Sequence, residues 1–276
     1  MGVIGIGQET YLYVNGISTP NAITLRDSVA LLPVETSFHY GKVSDMLKSD
    51  LDYAVAAISG RNIASQIKIT ANTPKQLAGM AWNAQWDCLL LGAIFHCEAM
   101  SNIQCDKPVE QLEDAAYINI TNYGFRAILN EPYNLTIDDE RWINDHYSAA
   151  YKMLDVESYM TAIHSLASYR WHSMPRVQMA IIWSGIEALF QASTEISFRI
   201  SLYIAYYLAG SNHSEAEKIF NDVRKLYNAR SASVHGSRIK GEINKAVSES
   251  AALLQRIIRH CAETQSLPDV KQLVFT

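Results

Sequence analysis

From residue 136 to about residue 264 the sequence reads as helix after helix, most with their own start or stop signal, and nearly half the chain is thereby committed to an all-α arrangement. Thr136 precedes "IDDERW", with acids in the first turn where the helix dipole favours them, and that helix runs towards Met153. A second covers about 156–171. Pro175 opens a third, "PRVQMAIIWSGIEALFQ". A fourth spans about 195–209 and stops at Gly210. Ser214 and Glu217 read as the capping box of a fifth, 215–235, which Gly236 ends. In the last, Ile243, Val247, Leu254, Ile257, Ile258 and Cys261 recur at helical spacing.

Before residue 136 the pattern is mixed. "TYLYVNGI" (10–17), "AITLRDSVALL" (22–32), "SQIKIT" (65–70), "DCLLLGAIF" (87–95) and "AAYINIT" (115–121) are short and rich in β-branched, aromatic or aliphatic residues, which predicts strands. Helices are predicted over 43–59 and over 74–86, the latter with Thr73 as N-cap and Pro74 as first residue. The expected fold is therefore α+β: a mixed α/β part over 1–135 and a helical bundle over 136–276. The two meet at the turn "EPYNLT".

Apolar residues make up 49% and charged residues 18%, a globular composition. The longest apolar runs, "CLLLGAIF" and "SLYIAYYLA", are far shorter than the roughly 20 residues of a membrane span. The start "MGVIGIGQET" has no basic region and carries Ile6 where a myristoylation signal has Ser or Thr, so neither a secretory leader nor a lipid anchor is expected. Four scattered cysteines without a C-x-x-C read as reduced thiols of a cytoplasmic protein; no metal or cofactor site is expected. The net charge of −5 is unevenly spread. Residues 1–150 hold 9 Lys and Arg against 17 Asp and Glu, a net −8; residues 151–276 hold 14 against 11, a net +3. Within 224–245 six cations (Arg224, Lys225, Arg230, Arg238, Lys240, Lys245) face Glu242 alone, which points to an anionic partner.

The fifth helix carries the candidate site. Its apolar stripe is Ile219, Phe220, Val223, Leu226, Tyr227 and Val234, and Arg230 falls on that stripe. A guanidinium cannot shed its charge, so on an inward face it needs a carboxylate or an anion-binding pocket. Glu187, in the all-round apolar "IIWSGIEALF", needs a cation in turn; Arg230 and Arg199 are both available. His235 lies about 140° round the helix from Arg230, so the two converge only if the helix ends between them or a groove wraps its edge.

The stretches "RVQMAIIWSGIEALF", "FRISLYIAYYLAG" and "FNDVRKLYNARSASVHG" together resemble the Apea-like branch of the HEPN superfamily, over roughly residues 140–262. The signature is an Arg, four to six intervening residues and a His, here Arg230 to His235; Glu187 and Arg199 match positions where the branch also carries Glu and Arg. The resemblance implies a HEPN-type helical bundle, a homodimer through this C-terminal domain, and a metal-independent endoribonuclease of a defence or toxin system. Arg230 and His235 would be catalytic, with Glu187, Arg199 and Ser231 supporting them, and RNA would be the partner. Ser231 stands where active HEPN nucleases often have Asn, Asp or His, and Ser237 stands where many have Tyr. A non-catalytic RNA- or nucleotide-binding or dimerisation scaffold is the alternative, favoured if Glu187 locks Arg230. Other motifs carry less: "GVIGIGQ" lacks dinucleotide-loop spacing, "WSGIE" is no nucleophile elbow, and Tyr203, Tyr206 and Tyr207 read as core or interface aromatics.

Overall fold

A computed structural model of the chain describes residues 5–124, 131–191, 196–236 and 241–270. The fold is α+β with an antiparallel sheet. It divides into two compact units, Met1–Ser148 and Ala149–Thr276.

The first unit is built on the sheet. β1 (Glu9–Asn15) leads through β2 (Ile17–Ser18) to the hairpin β3 (Ile23–Arg26) and β4 (Val29–Pro33). Then come α1 (Asp50–Gly60), β5 (Ile63–Thr70), α2 (Pro74–Ile94), β6 (Met100–Cys105), β7 (Ile118–Ile120), β8 (Tyr133–Asn134) and α3 (Ile137–Lys152). Six strands pair in the order β3-β4-β5-β1-β6-β7, every pairing antiparallel; β2 and β8 form a separate parallel pair. β1 is central and buried on both faces. Tyr11 and Tyr13 cluster with Val55 and Ala56 of α1 and Ile103 of β6. Alternation puts Leu12 and Val14 on the other face, level with Ile67 across the ladder, and α2 packs there against β1, β5 and β6.

The strand predicted over 87–95 is instead the second half of α2. Leu90, Leu91, Gly92, Ala93 and Ile94 are all buried, and a helix apolar all round loses its period and reads like a buried strand. Thr73 caps α2 as expected, its Oγ1 accepting the Gln76 N–H at 3.2 Å. β6 has no predicted counterpart because it buries polar side chains. Gln104 donates to Thr10 Oγ1 (3.0 Å) and Asn102 to the Asn122 carbonyl (2.7 Å), so the alternation that marks a strand is missing.

Asp87 of α2 is fully buried. Arg26 of β3 donates to it at 2.8 Å through Nη2 and at 3.2–3.3 Å through Nε, and the Tyr147 hydroxyl of α3 donates at 3.0 Å. Burial pushes this carboxyl up from the ordinary range, and the bonds from Arg26 and Tyr147 oppose the shift. The division of the chain falls within α3, after Ser148, and not at the turn before it. Thr136 caps α3: its Oγ1 accepts the Asp139 N–H (3.2 Å), and Asp139 accepts the Thr136 N–H in return (2.9 Å).

The second unit holds α4 (Glu157–Ser168), α5 (Pro175–Phe190), α6 (Ile196–Ala209), α7 (His213–Val234) and α8 (Ile243–Thr264). α5 packs against all four of the others. Trp183 is buried; its indole donates to Ser250 of α8 (3.1 Å) and its ring meets Tyr227 of α7 edge-on at 5.2 Å. Gly185 faces α4 so closely that a Cβ would lie 2.8 Å from Ser165 Cβ. The α8 stripe is buried at Val247, Leu254, Ile257, Ile258 and Cys261, as its spacing predicts. α7 begins earlier than expected: Asn212, not Ser214, is its N-cap, accepting the Glu215 N–H at 3.2 Å. Cys88, Cys97, Cys105 and Cys261 are free thiols.

Gly16, between β1 and β2, has φ of +81°, and a Cβ there would lie 2.2 Å from the Glu98 carbonyl oxygen. Gly16→Ala should therefore cost about 2–4 kcal/mol from backbone strain and overpacking together, read as a lower melting temperature in thermal denaturation.

Candidate functional site

α5 and α7 place the candidate residues. The helical period that buries Ile182, Trp183, Ile186 and Leu189 on α5 turns Glu187 partly towards α7. On α7, Val223, Leu226 and Tyr227 are buried, and Arg230, one turn on, follows the same stripe. The two charges meet there. Arg230 Nη2 donates to Glu187 Oε2 at 2.9 Å; its approach to Oε1, also 2.9 Å, is an ion-pair contact without hydrogen-bond geometry. The guanidinium also lies 5.5 Å from the centre of the Tyr227 ring.

The pair is neither sunk in the core nor free in water: the Arg230 side chain is 20% exposed and that of Glu187 30%. Burial raises the Glu187 carboxyl above its ordinary range, and the Arg230 charge and hydrogen bond pull it back down. Nε of Arg230 is buried and meets no acceptor among the described residues. A guanidinium carries five N–H donors in a fixed fork, so Arg230 keeps donors beyond those on Glu187.

His235 sits where α7 stops. Its N–H still donates to the Ser231 carbonyl (3.0 Å), but its ψ of 8° has left the helix and Gly236 follows in the left-handed region at φ +69°. The imidazole is exposed. Within one chain, no hydrogen bond or ion pair among the described residues joins it to Arg230. Ser231 is half-buried and contributes its carbonyl to the helix end. Arg199 lies exposed on α6, and the cation on Glu187 is Arg230. Val234, expected on the inward stripe, is 48% exposed; the buried residue of that last turn is Ser233, which donates to the Ala229 carbonyl (2.8 Å). Ser237, Arg238 and Lys240 lie outside the described residues.

One residue at this helix end was not singled out from the sequence. Arg176, in the first turn of α5, donates from Nη1 to the carbonyls of Ala232 (2.9 Å) and Ser233 (3.1 Å). These are among the last carbonyls of α7, which lack intrahelical partners, and a cation there also meets the negative end of the helix dipole. "PR" at a helix start gives a sequence signal for Pro175 alone; the long reach of Arg176 to another helix leaves none.

The tyrosines of α6 serve packing. Tyr203 is buried, and Tyr207 meets Phe190 and His260 edge-on and donates to the Ser266 carbonyl at 3.0 Å. Among the described residues no helix is long and apolar enough to cross a membrane. The chain matches no family model, no curated protein and no solved structure.

The ion pair generates a pH signature. The folded pKa of Glu187 is raised, so its proton is held more tightly by the native state; the stability this gives is present at low pH and lost as pH rises through the folded pKa. Arg230→Ala removes what opposes that rise and leaves a half-buried carboxylate at neutral pH. The variant should lose about 1–3 kcal/mol at pH 8, below the cost for a fully buried pair, and less at pH 5. Chemical denaturation of parent and variant at both pH values checks this: a loss as large at pH 5 would mean the carboxylate is not stranded.

Proposed function

We propose that the chain is a HEPN-type endoribonuclease of a defence or toxin system, acting as a homodimer through its helical unit and using Arg230 and His235. The observation that carries this reading is the state of the α7 end. Arg230 is oriented by Glu187 yet keeps donors, and one turn later His235 stands outside the helix in solvent. An arginine held this way can take a phosphate by two parallel hydrogen bonds and stabilise charge on its oxygens. An imidazole can both accept and donate a proton, so an exposed histidine there can serve either transfer.

RNA supplies its own nucleophile. The 2'-hydroxyl attacks phosphorus, one imidazole takes its proton, the bond from phosphorus to the 5'-oxygen breaks, and a second imidazole, as imidazolium, protonates that oxygen. One chain offers one such histidine at this site. A two-fold axis near the end of α7 would supply the second, and would bring His235 of one chain towards Arg230 of the other.

The same pair favours a second reading. Glu187 already neutralises Arg230, which suits a non-catalytic RNA-binding or dimerisation scaffold in which the pair fixes α5 against α7.

His235→Ala separates the two. A helix-terminal histidine contributes only about 0.3–1 kcal/mol through the dipole, so the variant should melt close to the parent and yet fail to cut RNA in the presence of chelator. Cutting by His235→Ala at the parental rate, or none by the parent on any mixed RNA, leaves the scaffold reading. Light scattering should give about twice the chain mass of 30.9 kDa.

A further inference from the structure

A side chain is placed only as well as the backbone that carries it, and His235 is carried by the last turn of α7. Helix ends open readily, because their final carbonyls lack intrahelical donors. This end is tied. The Ser231 carbonyl takes the His235 N–H at 3.0 Å. The next two carbonyls, of Ala232 and Ser233, take Nη1 of Arg176 at 2.9 and 3.1 Å. Among the described residues no backbone N–H donates to either of them. Arg176 is itself rooted in a closed turn. The Val177 and Gln178 N–H groups donate to the Met174 carbonyl (2.9 and 3.0 Å), Gln178 Nε2 donates to the His172 carbonyl (2.6 Å), and Met179 is fully buried.

The same helix holds the other half of the site. Glu187, which orients Arg230, follows Arg176 by eleven residues on α5. At about 100° per residue that is three turns along and roughly 20° round, so both side chains leave one face of α5. That face meets the end of α7 twice: through Glu187 at a guanidinium, and through Arg176 at the main chain two and three residues before His235. The two ties act on different things. The Glu187 bond joins two side chains and sets where the Arg230 charge stands. The Arg176 bonds grip carbonyls, which move only with the backbone, and so act on where the chain carries the imidazole.

We infer that Arg176 is a positioning residue: by holding the Ala232 and Ser233 carbonyls it fixes the turn that presents His235, and with it where the imidazole stands relative to a phosphate on Arg230. The inference rests on the Arg230–His235 reading for the reaction that this placement serves; the hold on the turn does not. Arg176 itself touches no reacting atom in this arrangement. Its effect on rate comes through His235, because a displacement of about 1 Å in a proton-transfer group can cost on the order of a hundredfold in rate.

Two variants of the full chain test this. Arg176→Met keeps an unbranched apolar stem and removes every donor; Arg176→Lys keeps a cation that can still reach a carbonyl. Amide hydrogen exchange across α7 reads the turn, and RNA cutting in chelator, resolved into kcat and KM, reads the site. In Arg176→Met the amides of 231–235 should exchange on the order of tenfold faster than in the parent, and those of 219–227 at the parental rate. Its kcat should fall on the order of a hundredfold with KM within about twofold, and Arg176→Lys should recover most of both losses. Parental exchange at 231–235 overturns the inference, because the turn then holds itself. Equal acceleration along all of α7 overturns it too, since Arg176 would then support the fold at large. So does a faster-exchanging turn with kcat unchanged. A raised KM with kcat unchanged also overturns it and makes Arg176 a contact for the RNA. A parent that cuts no RNA removes the nuclease reading, and the exchange pattern then decides the hold on the turn by itself.

Discussion

A guanidinium stays charged at any accessible pH, and that fact organises the helical unit. Arg230 rides the stripe that α7 turns inward, so some carboxylate must meet it, and Glu187 of α5 does. The requirement fixes how far along α5 the α7 helix can sit. With that set, the Tyr227 ring falls edge-on against Trp183, and the last carbonyls of α7 fall within reach of Arg176. Three contacts of different chemistry, ionic, aromatic and helix-terminal, therefore specify one relative placement. They leave the final turn of α7 anchored on one side while its histidine faces water.

α5 can serve so many neighbours because its residues divide the work. Trp183 spans to α7 and α8, Gly185 lets α4 come close enough that no side chain would fit between, and Glu187 holds the cation. The short string "WSGIE" thus has a packing reason for its large, its absent and its charged side chain. Nothing in it needs a nucleophile.

Much of the framework was legible from local chemistry. The caps at Thr73 and Thr136, the stripe of α8, the central strand β1 and the Glu187–Arg230 alternative all rest on signals that act within a few residues or on a charge that must be answered. What was missed depends on long-range context. Residues 87–95 form helix because they continue an already capped one; surrounded by core, they show no face. β6 hides because its polar side chains find partners across the sheet. Val234 follows the helical period but falls on the last turn, beyond the packing that period serves. Arg176 reaches the end of α7 only because the tertiary fold brings the start of α5 beside it.

The strand order of the first unit sets a schedule for its assembly. β1 is central in the six-stranded sheet, and it precedes in the chain both strands it pairs with. Its neighbours are β5 and β6, so the ladder on one side must wait for residues 63–70 and the ladder on the other for residues 100–105. Until then a ribbon of tyrosines, leucine and valine has both edges open. The first hairpin, β3–β4, can close locally but joins the sheet only through β5. Loops of this length must close before the contacts they bring reward the closure, so the sheet gathers slowly and late around β1. Between the making of β5 and that of β6, β1 is paired along one edge and open along the other, the kind of edge a chaperone covers.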